Sequence, residues 1–299
     1  MASSRRNRHP FGGKWTDEKL SILRGYLQAY NTALKNQPFI RIYIDAFAGT
    51  GYRLQRQKQF EVPDLFAETG DQESQELLKG SAKLALEVEP AFDEFIFVET
   101  DTGKVEQLQA LKREHADKAG GITIVRSDAN PFLQRYCAEQ DWRGHRAVVF
   151  LDPFATEVTW DTVAAIAGTR AVDVWILFPL MAVNRLLAND PTKSFRDSLD
   201  SVFGTTEWFA QFYRTTKADD IFGQSIETIQ KACDFRSIGH FYSARLRSIF
   251  AGVADKSRVL YSSRGTPLFQ LFFAAGNARG APIAVRIADH LLGGNFDWR

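Results

Sequence analysis

The sequence has few of the residues that build disulfide frameworks or metal centres. It contains two cysteines, Cys137 and Cys233, and five histidines with no pair at helical or strand spacing. This composition argues against a disulfide scaffold or a zinc site and fits a reducing cytoplasm. Net charge is also nearly absent, since 37 lysines and arginines face 36 aspartates and glutamates. A protein that coats nucleic acid through bulk positive charge is therefore excluded, although a local basic patch is not.

Long hydrophobic runs are missing as well. The most apolar stretch, 172–183, contains Asp173 and Pro179 and is too short to cross a bilayer. Residues 1–14 are polar and basic without the apolar core of a secretory signal. They predict a flexible arm whose arginines are solvated, with a nucleic-acid contact as the alternative. Together these absences predict a cytoplasmic protein.

Apolar residues suited to a large core are abundant, at 44% of the chain with 24 phenylalanines. Five apolar runs read as buried strands at 39–47, 95–98, 122–125, 147–151 and 172–178. Helical patterns lie at 16–34, with Thr16 as its cap, and at 81–88, 105–115, 131–139 and 160–167. This alternation predicts a doubly wound α/β sheet of parallel strands.

The end of the chain differs from this alternation. Two apolar runs, 258–262 and 268–274, flank a short connection with glycine and proline and predict an antiparallel hairpin. The region 187–235 reads as a helical or mixed insertion packed on the sheet, within a domain of residues 15–299. Asn130 followed by Pro131 reads as a helix cap and first-turn pair.

Acidic residues end four successive predicted strands: Asp45, Glu99, Asp128 and Asp152. Ligands of open α/β sheets bind at the carboxyl ends of strands, so these residues are the first candidates for a site. Gly49 and Gly51 follow Asp45 and allow the backbone to approach a ligand closely. The third glycine of a dinucleotide fingerprint is replaced by Leu54, and no Gly-Lys-Ser/Thr run follows. This pattern argues against a nicotinamide cofactor and against an ATPase.

The chemistry of these strand ends suits a ribonucleoside. The Glu99 carboxylate can accept hydrogen bonds from both hydroxyls of a ribose. Asp128 is placed to reach a base edge, although capping of the next helix is its favoured interpretation. Asp152 and the Pro153 carbonyl can accept from an exocyclic amine, and Phe154 can stack on a ring. A strand-ending turn with a core phenylalanine explains Asp152-Pro153-Phe154 equally well.

The ordered motifs resemble those of class I S-adenosylmethionine-dependent methyltransferases, whose fold also ends in an antiparallel hairpin. More narrowly, the chain resembles the three-Cys-motif partner proteins of bacteria and phages over residues 14 to 290, most weakly over 190–235. The residues that carry this resemblance are Lys19-Leu20-Ser21-Ile22-Leu23, Tyr26-Leu27, Tyr43 to Gly51, Gly80-Ser81, Phe97-Val98-Glu99 and Leu151-Asp152-Pro153-Phe154.

The resemblance implies a fold and a set of roles. The fold is a Rossmann-like sheet of five parallel strands plus a C-terminal antiparallel hairpin, and the cofactor is S-adenosylmethionine. Cofactor contacts fall on Asp45, Phe47, Gly49 and Gly51 near the methionine moiety, on Glu99 at the ribose and on Asp128 at the adenine edge. Asp152, Pro153 and Phe154 face the methyl acceptor, and no metal is involved. The family name implies a partner protein with clustered cysteines.

The sequence departs from the methyltransferase pattern in two places. Residues 52–79 form a charged loop where a helix usually follows the glycine turn; this loop is a lid or acceptor-recognition element, or a solvated surface loop. Asp152-Pro153-Phe154 also lacks the second proline usual in base methyltransferases. This departure argues against base methylation. The resemblance still implies methyl transfer to a nitrogen of nucleic acid or of a partner protein or peptide. A non-catalytic cofactor-binding scaffold is the alternative function, and a nicotinamide dehydrogenase fits less well.

Overall fold

The computed structural model describes residues 14–46, 80–153, 155–219, 225–262 and 264–294. For Lys14, Ala218, Asp219, Ser225 and Ile226 it describes the backbone alone. Several predicted features lie outside the described residues: Phe47, Gly49, Gly51, Phe154, the loop 52–79 and residues 1–13 of the arm.

One eight-stranded sheet forms the centre of the protein. Its strands are β1 (Ile40–Ala46), β2 (Glu94–Glu99), β3 (Ile122–Arg126), β4 (His145–Leu151), β5 (Val172–Phe178), β8 (Gly252–Val253), β9 (Arg258–Tyr261) and β10 (Pro267–Ala275). The order is β3-β2-β1-β4-β5-β10-β8, and β9 also pairs with β10. Strands β1 to β5 are parallel, whereas β10 runs antiparallel to β5, β8 and β9. The predicted fold class is confirmed.

Helices cover both faces of the sheet. One face carries α1 (Lys14–Leu34), α2 (80–87), α3 (Thr102–Glu114) and α10 (Ala281–Gly293). The other carries α4 (Ala129–Glu139), α5 (Trp160–Gly168), α6 (Leu180–Leu186), α7 (Arg196–Phe203), α8 (Trp208–Phe212) and α9 (Phe235–Arg247). All seven residues of β5 are buried between these layers, which explains its uninterrupted apolar sequence.

Two predicted helix caps are wrong. The N-cap of α4 is Asp128, the favoured interpretation of that residue, and its Oδ1 accepts from the Asn130 backbone N–H at 2.8 Å. Asn130 lies inside the first turn, so its side chain is free for other contacts. Thr16 lies inside α1, and its buried Oγ1 has no hydrogen-bond partner among the described residues.

The segment between β5 and α9 contains α7, α8 and a separate antiparallel hairpin. This hairpin pairs β6 (Tyr213–Asp219) with β7 (Ser225–Lys231). Phe203, Trp208 and Phe212 bury this segment against the sheet. Lys231 anchors the base of the hairpin, because its Nζ donates to Oδ1 of Asn184 at 2.7 Å and to the Leu187 carbonyl at 3.0 Å.

Candidate functional site

Three of the predicted acidic residues share one face of the sheet at its carboxyl edge. Asp45 of β1 lies opposite Phe97 of β2 and Phe150 of β4. Glu99 follows Phe97 by two residues in β2, so the two side chains point to the same side. Asp152 lies just beyond β4, and its bond to Lys19 of α1 places its carboxylate on that side as well. All three carboxylates therefore lie on the face covered by α1, around the end of β1.

Glu99 presents an unused hydrogen-bond acceptor. Its side chain is 1% exposed, and Oε1 accepts from the backbone N–H groups of Thr100 and Asp101 at 2.7 and 2.6 Å. Oε2 is buried without a hydrogen-bond partner among the described residues. Burial raises the pKa of Glu99 above its ordinary value, against these hydrogen bonds and nearby Lys104. Buried polar atoms are normally paired, so Oε2 is an acceptor available to a donor from outside the described residues.

Asp45 is an equally buried carboxyl group, with 1% of its surface exposed. Burial is the main cause that raises its pKa to about 7, and the Asp152 carboxylate raises it further. Hydrogen bonds from Ser81 and Tyr43 and the positive charge of Lys19 oppose that rise. Asp45 therefore changes charge near neutral pH, which is unusual for an aspartate.

Lys19 and Asp152 form an ion pair at the end of β4. Lys19 Nζ donates to Asp152 Oδ2 at 2.6 Å, and the two side chains are 0% and 17% exposed. The Trp15 and Phe150 rings each lie 5.5 Å from Nζ, within cation–π range. Asp152 is thus held by one oxygen while its side chain stays partly exposed.

Lys19 has no predicted role in the site, although its position in the sequence indicates one. Lys19 lies three, four and seven residues before Ile22, Leu23 and Tyr26, which are all buried. A lysine on the apolar side of an amphipathic helix is placed against the core, where a charge needs a partner. That pattern predicts a buried ion pair but does not name Asp152, which is 133 residues away.

The remaining predicted residues are placed as follows. Asp128 is exposed beyond the end of β3, where it caps α4. Pro153 is buried directly after Asp152.

Asn130 is a second residue that the sequence analysis missed as a site element. Its Nδ2 donates to the Glu157 carbonyl at 2.8 Å. Its Oδ1 accepts from the Thr159 N–H at 3.1 Å and from the Thr162 hydroxyl at 2.8 Å. Asn130 therefore ties the start of α4 to the segment that follows Asp152 and leads into α5.

Replacing Asn130 by alanine is expected to loosen that segment. We expect the variant to lose about 1–2 kcal/mol of unfolding free energy and the Thr159 amide to exchange with solvent about tenfold faster. Urea denaturation and hydrogen exchange measure the two effects.

The matched control for Asn130 is Asn277, which binds the Arg279 and Gly280 N–H groups near the opposite edge of the sheet. Asn277→Ala is expected to lower the unfolding free energy by a similar amount without changing the exchange rate of the Thr159 amide. Unchanged exchange of Thr159 in Asn130→Ala contradicts this account.

The described residues contain no group of three or more histidine, cysteine, aspartate or glutamate residues that could hold a metal ion. None of the helices formed by these residues is long and apolar enough to cross a membrane.

The strand order and the antiparallel β10 give the protein a methyltransferase-like fold. No family model matches the chain, and no curated protein matches its sequence. A Legionella pneumophila protein of family model DUF519 is 13% identical, covering 95% of this chain and 92% of its own, with a TM-score of 0.49.

Two solved methyltransferases are also similar to the chain. The plantazolicin methyltransferase BamL, solved with SAH and a triazolic desmethylPZN analogue, is 10% identical over 88% of this chain and 86% of its own, with a TM-score of 0.34. The O-methyltransferase TomG of Streptomyces achromogenes, solved with SAM, is 11% identical over 74% and 90%, with a TM-score of 0.32.

Proposed function

We propose that the protein is an S-adenosylmethionine-dependent methyltransferase that acts on a nitrogen of nucleic acid or of a partner protein or peptide. The observation that carries this proposal is Glu99 Oε2, a buried acceptor without a partner among the described residues at the end of β2. In related folds the ribose of the ligand lies at the corresponding strand end, and its two hydroxyls can donate hydrogen bonds to a carboxylate oxygen such as Oε2.

Neighbouring strand ends suit the rest of such a cofactor. Asp128, beyond β3, is exposed and can accept from the amino group of adenine. Asp45, at the end of β1, can accept from the ammonium of the methionine moiety. The carboxylates therefore follow the order of the adenine, ribose and amino-acid parts along the edge β3-β2-β1. Phe47, Gly49 and Gly51 belong to the proposal through the sequence resemblance alone.

Bound S-adenosylmethionine supplies a methyl group that is already activated by a sulfonium, so the protein mainly positions the acceptor and excludes water. Lys19 fixes Oδ2 of Asp152 and leaves the other carboxylate oxygen for an acceptor amine. We propose that this oxygen and the Pro153 carbonyl accept the amine hydrogens and direct its lone pair toward the methyl group. Phe154 would stack on the acceptor.

Association with a partner that carries clustered cysteines is proposed on the resemblance alone. A recognition role for the loop 52–79 is proposed on its charged sequence, and a cytoplasmic location on the small number and wide spacing of the cysteines. A methyltransferase with such a partner would take its acceptor from the partner or from nucleic acid bound to it.

A non-catalytic scaffold that binds the cofactor and a cysteine-rich partner is the second candidate. The ion pair between Lys19 and Asp152 favours it, because one oxygen of the acceptor-facing carboxylate is already occupied. A nicotinamide dehydrogenase is disfavoured, since the usual dinucleotide-binding sheet has a sixth parallel strand where this sheet has the antiparallel β10.

A thermal-shift titration tests the cofactor. We expect S-adenosylmethionine and S-adenosylhomocysteine to stabilise the protein saturably, by about 2.7 kcal/mol at a hundredfold excess over Kd. NAD is expected to have no effect. No stabilisation by either adenosyl compound would overturn the proposal, whereas stabilisation without methyl transfer would favour the scaffold.

Cofactor affinity is expected to depend on pH through Asp45. The ionised carboxylate is the form that binds an ammonium, and with a pKa of about 7 Asp45 ionises as the pH rises through neutrality. The ionised fraction grows about tenfold between pH 6 and pH 8, so the affinity for S-adenosylhomocysteine rises about tenfold. Calorimetric titrations at the two pH values measure this change.

Two controls isolate the Asp45 carboxyl group. Asp45→Asn is expected to abolish the pH dependence, and 5′-methylthioadenosine, which lacks the ammonium, is expected to bind wild type equally at both pH values. A tenfold pH effect that persists in Asp45→Asn shows that another group is responsible.

A further inference from the structure

Lys19 has more hydrogen-bond donors than the described chain uses. Its ammonium carries three N–H donors and is 0% exposed. In the described part of the chain it makes one hydrogen bond, to Asp152 Oδ2 at 2.6 Å. The Trp15 and Phe150 rings stabilise its charge but offer no lone pair. A buried cation with spare donors points to an anionic acceptor that arrives with a ligand.

The position of Lys19 relates it to the proposed cofactor. Its ammonium pairs with Asp152 just after β4, and its positive charge lowers the pKa of Asp45 on the adjacent β1. The chain reverses its direction of strand addition between β1 and β4, which is where ligands of such sheets bind. A ligand whose ribose is held by Glu99 on β2 reaches Asp45 and then Lys19 as it extends toward β4.

The charges of these side chains also complement those of an amino-acid ligand. Asp45 at the end of β1 and Lys19, bound to Asp152 beyond the end of the adjacent β4, offer an anion and a cation at neighbouring strand ends, which matches the ammonium and the carboxylate of a free amino acid. With Asp45 and Asp152 ionised, the three side chains carry one net negative charge. The sulfonium, ammonium and carboxylate of S-adenosylmethionine together carry one net positive charge.

We infer that Lys19 binds the carboxylate of the cofactor's amino-acid end while it keeps its bond to Asp152. This inference rests on the proposed function and assigns Lys19 two tasks: it recognises the cofactor and orients the acceptor-facing carboxylate. A charge-assisted hydrogen bond of this kind makes S-adenosylmethionine bind about 30-fold more tightly than the same molecule without its carboxylate.

Three ligands and two variants test the inference by calorimetric titration. The ligands are S-adenosylmethionine, its decarboxylated form and 5′-methylthioadenosine, which lacks both amino-acid charges. We expect wild type to prefer S-adenosylmethionine over the decarboxylated form about 30-fold. Lys19→Met is expected to lose this preference, with the affinity for methylthioadenosine unchanged.

Asp152→Asn is the control, because it breaks the same ion pair and keeps the cation. It is expected to retain the preference for the carboxylate, which separates ligand binding from loss of the ion pair. If Lys19→Met keeps the full preference, Lys19 does not bind the carboxylate and the inference is wrong. If wild type binds none of the three ligands, the proposed function itself fails.

Discussion

Replacing Asp152 by asparagine is expected to lower methyl transfer at least about 100-fold while leaving cofactor Kd within about threefold. The amide keeps the shape of the side chain but offers one acceptor oxygen instead of two. Lys19 takes that oxygen, since its buried ammonium needs an acceptor. The amide NH₂ then faces the acceptor amine, whose hydrogens have lost their partner.

The measurement follows labelled methyl groups from S-adenosylmethionine into the nucleic-acid and protein fractions of a cell extract. An extract supplies both acceptor classes and any partner that the reaction requires. Wild-type protein is expected to label one fraction, and Asp152→Asn is expected to label neither above about 1% of the wild-type amount. Equal labelling by both proteins would remove Asp152 from the reaction.

Loss of folding must be separated from loss of chemistry. Removing one charge of a buried ion pair costs up to about 3–5 kcal/mol, because the Lys19 charge stays buried with an amide oxygen in place of a carboxylate. The double variant Lys19→Met with Asp152→Asn removes both charges, so we expect its stability in urea to approach that of wild type while transfer stays absent. A double variant that transfers methyl groups would contradict the role of Asp152.

Asp173 provides the matched control on the opposite edge of the sheet. Like Asp152 it is bound by a side chain of α1, since the Tyr26 hydroxyl donates to its Oδ2 at 2.7 Å. It lies at the amino end of β5, where it also accepts from the Gly276 N–H at 3.2 Å. Asp173→Asn is therefore expected to lower stability without lowering methyl transfer per folded molecule.

The sequence predicted the parts of the fold that have strong local patterns. The run 172–178 was predicted as a buried strand and is β5, because parallel strands covered on both faces are continuously apolar. By contrast, β6 has the polar sequence YRTTKAD and β8 has only two residues, so neither carries a strand pattern. Helix α9 does carry a helical pattern, because Ile238, Tyr242 and Leu246 are buried four residues apart, but it is not among the predicted helices.

In the candidate site, too, some residues follow from local sequence patterns and others do not. Strand ends place Asp45, Glu99 and Asp152 at one edge, and that placement follows from alternating strands and helices. Lys19 and Asn130 instead act through side chains of elements far away in sequence, at Asp152 and at Thr159. No local pattern encodes such a pairing, because it depends on how α1 and α4 pack.

We propose above all that the end of β2 binds the ribose of an adenosyl cofactor. This proposal is tested by calorimetric titration of S-adenosylhomocysteine into wild type, Glu99→Gln and Glu94→Gln. Glu94 begins the strand that Glu99 ends, so it controls for the loss of one glutamate from β2. We expect Glu99→Gln to bind about 100-fold more weakly, because an amide NH₂ then faces the ribose hydroxyls, and Glu94→Gln to bind as tightly as wild type. Wild-type affinity in Glu99→Gln, or an equal loss in both variants, would contradict the proposal.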